Sequence, residues 1–250
     1  AVLDGDRFVI NGQKVWTSGA NYADFCFLFC RTDPSAPKHR GISVVLVEMD
    51  RPGIQVKPLP EIVGRAHPDL NEVFFTDVEV PASQLVGQLN NGWAMASGSL
   101  AHERGMVWLG SVMGLQEAVA RLVADAPRWL ARMGESERAL SVDGIVRSYV
   151  DAQAARCLGY RGFAKLVAGG SAPEQALMKL MSSEARQRLA LTAHELRGAS
   201  GLDASAQGGL WSEWTPLEQY FVSFGGTISA GSSEIQRNII AEKVLGLPRG

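Results

Sequence analysis

The chain has 250 residues, 46% of them hydrophobic, so it can bury one large core or two modest ones, and disorder is excluded as a description of the whole. Its 24 basic and 26 acidic residues are interspersed and give a formal net charge of -2, which excludes a nucleic-acid or polybasic membrane surface and leaves small molecules or other proteins as partners. The three cysteines cannot all pair: Cys26 and Cys30 fall in one strand-like run, roughly 13 Å apart, and are read as buried thiols of a reducing cytoplasm. The four histidines are scattered, so no metal site is expected. No apolar run reaches the roughly 20 residues that span a bilayer, and the N-terminus does not read as a signal peptide.

Residues 1 to about 85 carry a β pattern. Asn11-Gly12, between two short β-rich runs in "RFVINGQKVW", predicts a hairpin turn. "DFCFLFCR" and "GISVVLVEMD" are near-continuous apolar runs, as expected of strands covered on both faces, with a turn-rich basic loop between them. "PGIQVKPLP" and "NEVFFTDVEVP" extend the series, with Pro81 closing the last strand. A small β-barrel or sandwich over residues 1–88 follows.

From Gly92 the period becomes helical. One long helix is predicted over 92 to about 125, ending before Pro127, and a second over about 140 to 168, stopping at Gly169-Gly170. A third starts behind Ser171 and reaches Arg197-Gly198; the last follows "AGSSE". Four amphipathic helices with short connections predict a bundle over residues 89–250, and the fold class is α+β with two domains.

Two local features carry chemistry. "GGTISAGSSEIQRNII" reads as a glycine-rich turn leading into a helix, with Ser233 and Gln236 at capping-box spacing and backbone N–H groups free for a ligand, yet Gly225–Ser233 contains no acid or base. In the first long helix, Trp93, Ala96, Leu100, Glu103, Val107, Gly110 and Gly114 share one face, so a carboxylate stands in an apolar stripe. Burial raises a carboxyl pKa toward that of a useful general base. The plain alternative is a structural ion pair between Glu103 and Arg147, Arg156 or Arg161. For Trp16, at a strand end in "KVWTSGA", the plain alternative is packing.

The pieces "NGQKVWTSGA", "RGISVVLVEMDRPGIQV", "NEVFFTDVEVPASQLVG", "GW…LAHERG" and "SAGSSEIQRNIIAEKVLG" together resemble the acyl-CoA dehydrogenase family over essentially the whole chain. The resemblance implies a β middle domain and a C-terminal four-helix bundle with FAD between them. The family's helical N-terminal domain, absent from this sequence, would lie before Ala1. The implied reaction oxidises an acyl-CoA thioester to the trans-2-enoyl-CoA: a glutamate takes the α-proton, flavin N5 takes the β-hydride, and the thioester carbonyl is hydrogen-bonded as charge develops. The backbone N–H donor maps onto Ala230, beside Gly231 in the substrate pocket. Many members place the base there too, whereas a branch like isovaleryl-CoA dehydrogenase takes it from the long helix; "LAHER" fits that branch, with Glu103 as base and Arg104 as a substrate contact. Trp16, Thr17 and Ser18 would pack on the flavin, and Ser232 and Glu234 would face its diphosphate.

Two segments depart from homotetrameric members. The arginine-x-x-phenylalanine-glycine and glutamine-x-x-glycine-glycine motifs that grip a neighbour's FAD adenylate are replaced by "ARMGESERALSVDG" and "HELRGASG". That asymmetry resembles the heterotetrameric acyl-CoA dehydrogenases of actinobacteria, which act on steroid-derived and other bulky CoA esters. The expected partners are an acyl-CoA, electron-transferring flavoprotein, and either further copies or a homologous second subunit in a tetramer. The alternatives are a flavin-dependent acyl-CoA oxidase and a scaffold subunit without catalysis.

Overall fold

The computed structural model describes residues 1–62, 69–169, 174–202 and 215–248, with residues 97–109 and Glu174 described through their backbone only. Two compact units divide at Glu103: one is built by residues 1–102, the other by the described residues that follow.

The first unit is a β-sandwich. In one sheet, β1 (Val2–Asp4), β2 (Arg7–Lys14), β5 (Ile54–Pro58) and β6 (Asn71–Pro81) run antiparallel in the order β1-β2-β6-β5. The other has the order β3 (Phe25–Arg31), β4 (Ile42–Glu48) and β7 (Leu85–Val86). Alternate residues of both sheets, among them Phe8, Ile10, Leu28, Val45, Val47, Val73, Val78 and Val80, interdigitate in one buried core. Pro81 ends β6 as its missing N–H requires.

The hairpin falls elsewhere than expected. Asp4 pairs with Arg7, so the tight connection is Gly5-Asp6, with Gly5 at φ +62° in the first central position. Asn11-Gly12 instead lies within β2, opposite a bulge where Ile10 pairs with Val78 but Gly12 pairs with Phe75. Asn11 serves that bulge: its Oδ1 accepts from the Asp77 N–H at 2.9 Å and its Nδ2 donates to Asp77 Oδ1 at 2.9 Å. Asp77 can therefore adopt φ +48°. Nor is β3 covered on both faces among the described residues: Leu28 is buried, but Phe25 and Phe27 are 53% and 47% exposed.

α1 (Gly92–Leu130) begins within the first unit and continues from Glu103 into the second, where α2 (Glu135–Val167), α3 (Glu174–Glu195) and α4 (Pro216–Ile228) supply the other long helices and α5 (Ser233–Ile239) follows. The core joins Val112, Leu115, Val119, Leu122 and Ala126 of α1 to Ile145, Ala152 and Ala155 of α2 and to Met178, Ala185 and Leu189 of α3.

The sequence reading changes at three points. Pro127 lies inside α1 rather than beyond it, because only its last turn follows and Trp129 and Leu130 pack onto the core there. α2 starts at Glu135, five residues before the expected start, with two glutamates in its first turn favouring the N-terminal dipole. α4 was not expected as a separate helix. Thr215 and Glu218 cap it reciprocally at 3.2 and 2.8 Å, with Pro216 at its first position. Among the described residues, no helix is long and apolar enough to cross a membrane, and no cluster of side chains could hold a metal ion.

Candidate active site

The turn between α4 and α5 is short and tightly held. Gly225 and Gly226, expected in the turn, belong to α4, which ends where the Ser229 N–H donates to the Gly225 carbonyl at 2.9 Å. Ala230 then takes φ +53° and Gly231 φ +94°, consecutive left-handed residues, of which the alanine costs about 1–2 kcal/mol. The helix cap is Ser232, one residue before the expected Ser233; its Oγ accepts from the Ile235 N–H at 3.4 Å. Ser233 points inward, its hydroxyl buried and unbonded among the described residues.

What fixes the turn is Gln236, only 4% exposed. Its Nε2 donates to the carbonyls of Ala230 at 3.0 Å and Gly231 at 3.4 Å. A Cβ on Gly231 would stand 2.6 Å from that Nε2, so both the backbone angle and the packing require glycine. Ala230 is exposed, and its N–H donates to no described residue. The turn thus presents backbone N–H groups that no described residue uses, that of Ala230 among them. Sequence spacing had singled out Gln236, but for a capping box; the carboxamide reaches the turn's carbonyls instead.

Beside the turn lies a cleft of about 480 Å³, lined by Glu184, Arg188, Thr227, Ser232, Glu234 and Arg237. Arg237 bonds Glu184 at 2.6 Å and Arg188 bonds Asp151 at 2.8 Å. The Glu234 carboxyl is held below the usual range by its own backbone N–H, then by the Ser232 hydroxyl, with Arg237 and Lys179 adding smaller attractions.

In the β unit, Trp16 sits at φ +59° with its indole 69% exposed, a conformation that costs a bulky residue about 1–3 kcal/mol and persists only when its surroundings enforce it. The enforcing residue is Asn71, fully buried at the start of β6. Its Nδ2 donates to the carbonyls of Thr17 at 3.1 Å and Asp69 at 2.8 Å, and its backbone carbonyl accepts from the Thr17 N–H at 3.0 Å. Thr17 is half-buried and Ser18 exposed. Trp16 is therefore not a packing residue within this unit. A buried asparagine opening a strand was the signal for Asn71, and the sequence reading passed over it.

Glu103 and Arg104 lie on the backbone of α1, with side chains outside the described residues. Where the Glu103 row is described it is not the buried face of α1. Trp93 is 52% exposed and, among the described residues, a Cβ on Gly110 would meet nothing within 4 Å, whereas the core row runs through Leu115, about 100° round from Gly114. Gly114 is a close-packing glycine, since its Cβ would come within 2.8 Å of Arg186. Arg147, offered as a counter-ion for Glu103, pairs with Asp143 of its own helix at 2.7 Å.

The two divergent segments meet in a corner around Trp129. The Arg128, Arg132 and Arg197 guanidiniums stand 5.2–5.6 Å from the Trp129 ring. Arg197 also bonds Asp125 at 2.9 Å and the Ala193 carbonyl, and Arg138 donates to the carbonyls of Leu130 and Met133.

Two family models cover almost all of this architecture: the acyl-CoA dehydrogenase middle domain matches residues 1–78 and the acyl-CoA dehydrogenase C-terminal domain matches residues 90–245. The chain belongs to the acyl-CoA dehydrogenase family. It is 37% identical to acyl-CoA dehydrogenase IpdE1 of Mycobacterium tuberculosis, over 100% of this chain and 62% of that protein. It superposes on the Tcur3481-Tcur3483 steroid ACAD with a TM-score of 0.84 at 30% identity, over 100% of this chain and 63% of that one. The ChsE4-ChsE5 complex of M. tuberculosis matches with a TM-score of 0.76 at 28% identity, over 100% and 64% of the two chains. The chain thus spans just under two thirds of the length of these relatives.

Proposed function

We propose that the chain catalyses the α,β-dehydrogenation of a bulky acyl-CoA thioester as one subunit of a heteromeric acyl-CoA dehydrogenase. The observation that carries this reading is the Ala230-Gly231 turn, which the carboxamide of Gln236 holds in place and whose Ala230 N–H no described residue uses. A rigid backbone donor stabilises negative charge developing on a carbonyl without reorganising, and such a donor is worth about 2.7–4 kcal/mol of barrier. An α-proton next to a thioester becomes removable when the carbonyl oxygen is so bonded.

Glu103 is the base in this reading, since no acid or base occupies Gly225–Ser233, and Arg104 and Gly231 border the substrate. Bound FAD supplies the acceptor for the β-hydride. The residues present fit its flat ring system: an enforced, exposed indole at Trp16 is a stacking platform, and the exposed Ser18 hydroxyl stands two residues on. Ser232 and the cleft beside it suit the polar tail. Glu234 does not suit direct contact with a diphosphate, because it is held ionised; it acts through Ser232 and Arg237.

The heteromeric part rests on two supports. Two relatives named for a pair of chains, Tcur3481-Tcur3483 and ChsE4-ChsE5, match over the whole of this chain. The sequence carries no family adenylate motif in the two segments near Trp129, and Arg197 and Arg138 there are bonded to Asp125 and to internal carbonyls. The steroid class named for one relative makes a polycyclic acyl group the leading substrate, and open space at Gly110 is compatible with it. The test is turnover of a panel of acyl-CoAs, polycyclic and linear, by the chain alone and together with a homologous subunit. Turnover of polycyclic esters only by the pair supports the reading; full activity of a homotetramer with one FAD per chain overturns its heteromeric part.

A further inference from the structure

Arg186 of α3 is a cation that no carboxylate answers among the described residues. Its Nη2 donates to the Ser111 carbonyl at 3.3 Å, and the same nitrogen lies 2.8 Å from where a Cβ of Gly114 would stand, so the guanidinium is laid across α1 at Gly114. Arg188, two residues on, is by contrast paired with Asp151 at 2.8 Å. Arg186 reaches the surface, yet burial of the guanidinium, and then the like charge of Arg121, push its pKa down. A partly desolvated cation beside a second one is costly until an oxygen acceptor completes it.

Where the guanidinium lies says what that acceptor belongs to. Glu103, Val107, Gly110 and Gly114 follow one another on α1 by four, three and four residues, and so share one face. Gly110 leaves the middle of the row open: among the described residues, a Cβ there would meet nothing within 4 Å. From Glu103 the row thus passes over an open glycine, about 10 Å along the helix axis, to a guanidinium at Gly114, about 16 Å along it. Toward the N-terminus the same row carries the larger Leu100 and Trp93.

We infer that the acyl group of the substrate extends from Glu103 along this row, and that Arg186 selects acyl groups carrying a ketone or carboxylate oxygen about 10–15 Å from the reacting α-carbon. A guanidinium has five N–H donors, and only one hydrogen bond of Arg186, to Ser111, is made within the described residues, so donors remain for such an oxygen. A plain hydrocarbon of the same length would leave the desolvated guanidinium unpaired, and the discrimination comes from that penalty. The inference rests on the reading of Glu103 as the base, and adds to it the polar far end of the substrate.

The test uses the full-length protein with its FAD and any subunit it carries, and polycyclic acyl-CoAs of one skeleton: the parent hydrocarbon, its remote ketone and its remote carboxylate. At least one oxygenated ester should exceed the parent in kcat/KM by about tenfold to a hundredfold, and Arg186→Met should bring that ratio to about one. Calorimetric binding of the same esters to the Glu103→Gln protein, with and without Arg186→Met, reads the preference without turnover and so separates it from the assignment of the base. Gly110→Leu should lower kcat/KM for the polycyclic esters about tenfold more than for a short linear ester, because its side chain fills the open stretch of the row. Equal values for the parent and both oxygenated esters, a preference that survives Arg186→Met in turnover and in binding, or an equal effect of Gly110→Leu on short and polycyclic esters would overturn the inference and leave the base assignment standing. If Arg186→Met does not fold, Arg186→Gln and Gly110→Leu decide the matter.

Discussion

The side chain of Gln236 reaches back six residues to the carbonyl of Ala230, 3.0 Å away, and holds two successive left-handed residues in place from a position that is almost wholly buried. The contact holds the peptide groups on both sides of Gly231, adjacent to the one that carries the Ala230 N–H. Gln236→Ala removes the donor and leaves two carbonyls without it, which should cost about 1–3 kcal/mol of stability and lower Tm by several degrees. Flavin reduction by substrate in a single turnover should slow by about tenfold or more, because the oxyanion donor is no longer oriented. Stopped-flow absorbance with a thermal melt on the same sample checks both.

Gly231 and Ala230 should respond in opposite directions. Gly231→Ala places a Cβ 2.6 Å from Gln236 Nε2 at φ +94° and should destabilise by more than about 1 kcal/mol. Ala230→Gly relieves the strain at φ +53° and should be neutral or stabilising, since the extra freedom of the unfolded chain offsets part of the gain. Calorimetry of the two variants separates them by sign.

Asn71 is the corresponding support in the β unit. Asn71→Leu removes the bonds to the carbonyls of Thr17 and Asp69 while filling the buried volume. Trp16 should then leave its left-handed conformation. The expected result is weaker FAD retention on dialysis and a shift in the tryptophan emission spectrum, with an otherwise intact fold.

Lys179 makes a prediction about pH. Its Nζ is buried without a hydrogen-bond partner among the described residues, and burial pushes its pKa below 10.5, against weaker attractions from Glu184 and Glu234. The folded state therefore binds its proton less well than the unfolded chain. The penalty is full at neutral pH and is relieved as pH rises from the folded pKa toward the unfolded one. Lys179→Met should raise Tm at pH 7, and the gain should shrink as pH approaches 10.5. A gain independent of pH would point to packing instead.

Much of the β unit was legible because alternating or continuous apolar runs bounded by turn residues have few other solutions. Asn11-Gly12 misled because the same two residues serve a tight turn or a bulge, and the choice is made by Asp77, 66 residues away. The end of α1 was misplaced because propensity alone stops a helix at Pro127, whereas burial of Trp129 and Leu130 carries it one turn further. α4 was hidden by its glycines. Of the site, Trp16 and Ala230 were singled out from sequence, and both prove to be non-glycine residues at positive φ. Their supports, Asn71 and Gln236, act through distances no local pattern encodes.

If Glu103 and the Ala230 position address the same α-proton, a carboxylate moved from one to the other should restore part of the activity. Ala230→Glu in a Glu103→Gln background is expected to recover measurable turnover, and steady-state kinetics with the best acyl-CoA of the panel reads it.

The central claim is that the proton chemistry of this site resides on Glu103. The most direct measurement is anaerobic titration of the Glu103→Gln protein, assembled with its FAD and any partner subunit, with a substrate acyl-CoA. Flavin that stays bound and is not bleached, beside wild-type protein that bleaches fully, is the expected result; bleaching of the variant at the wild-type rate would contradict it.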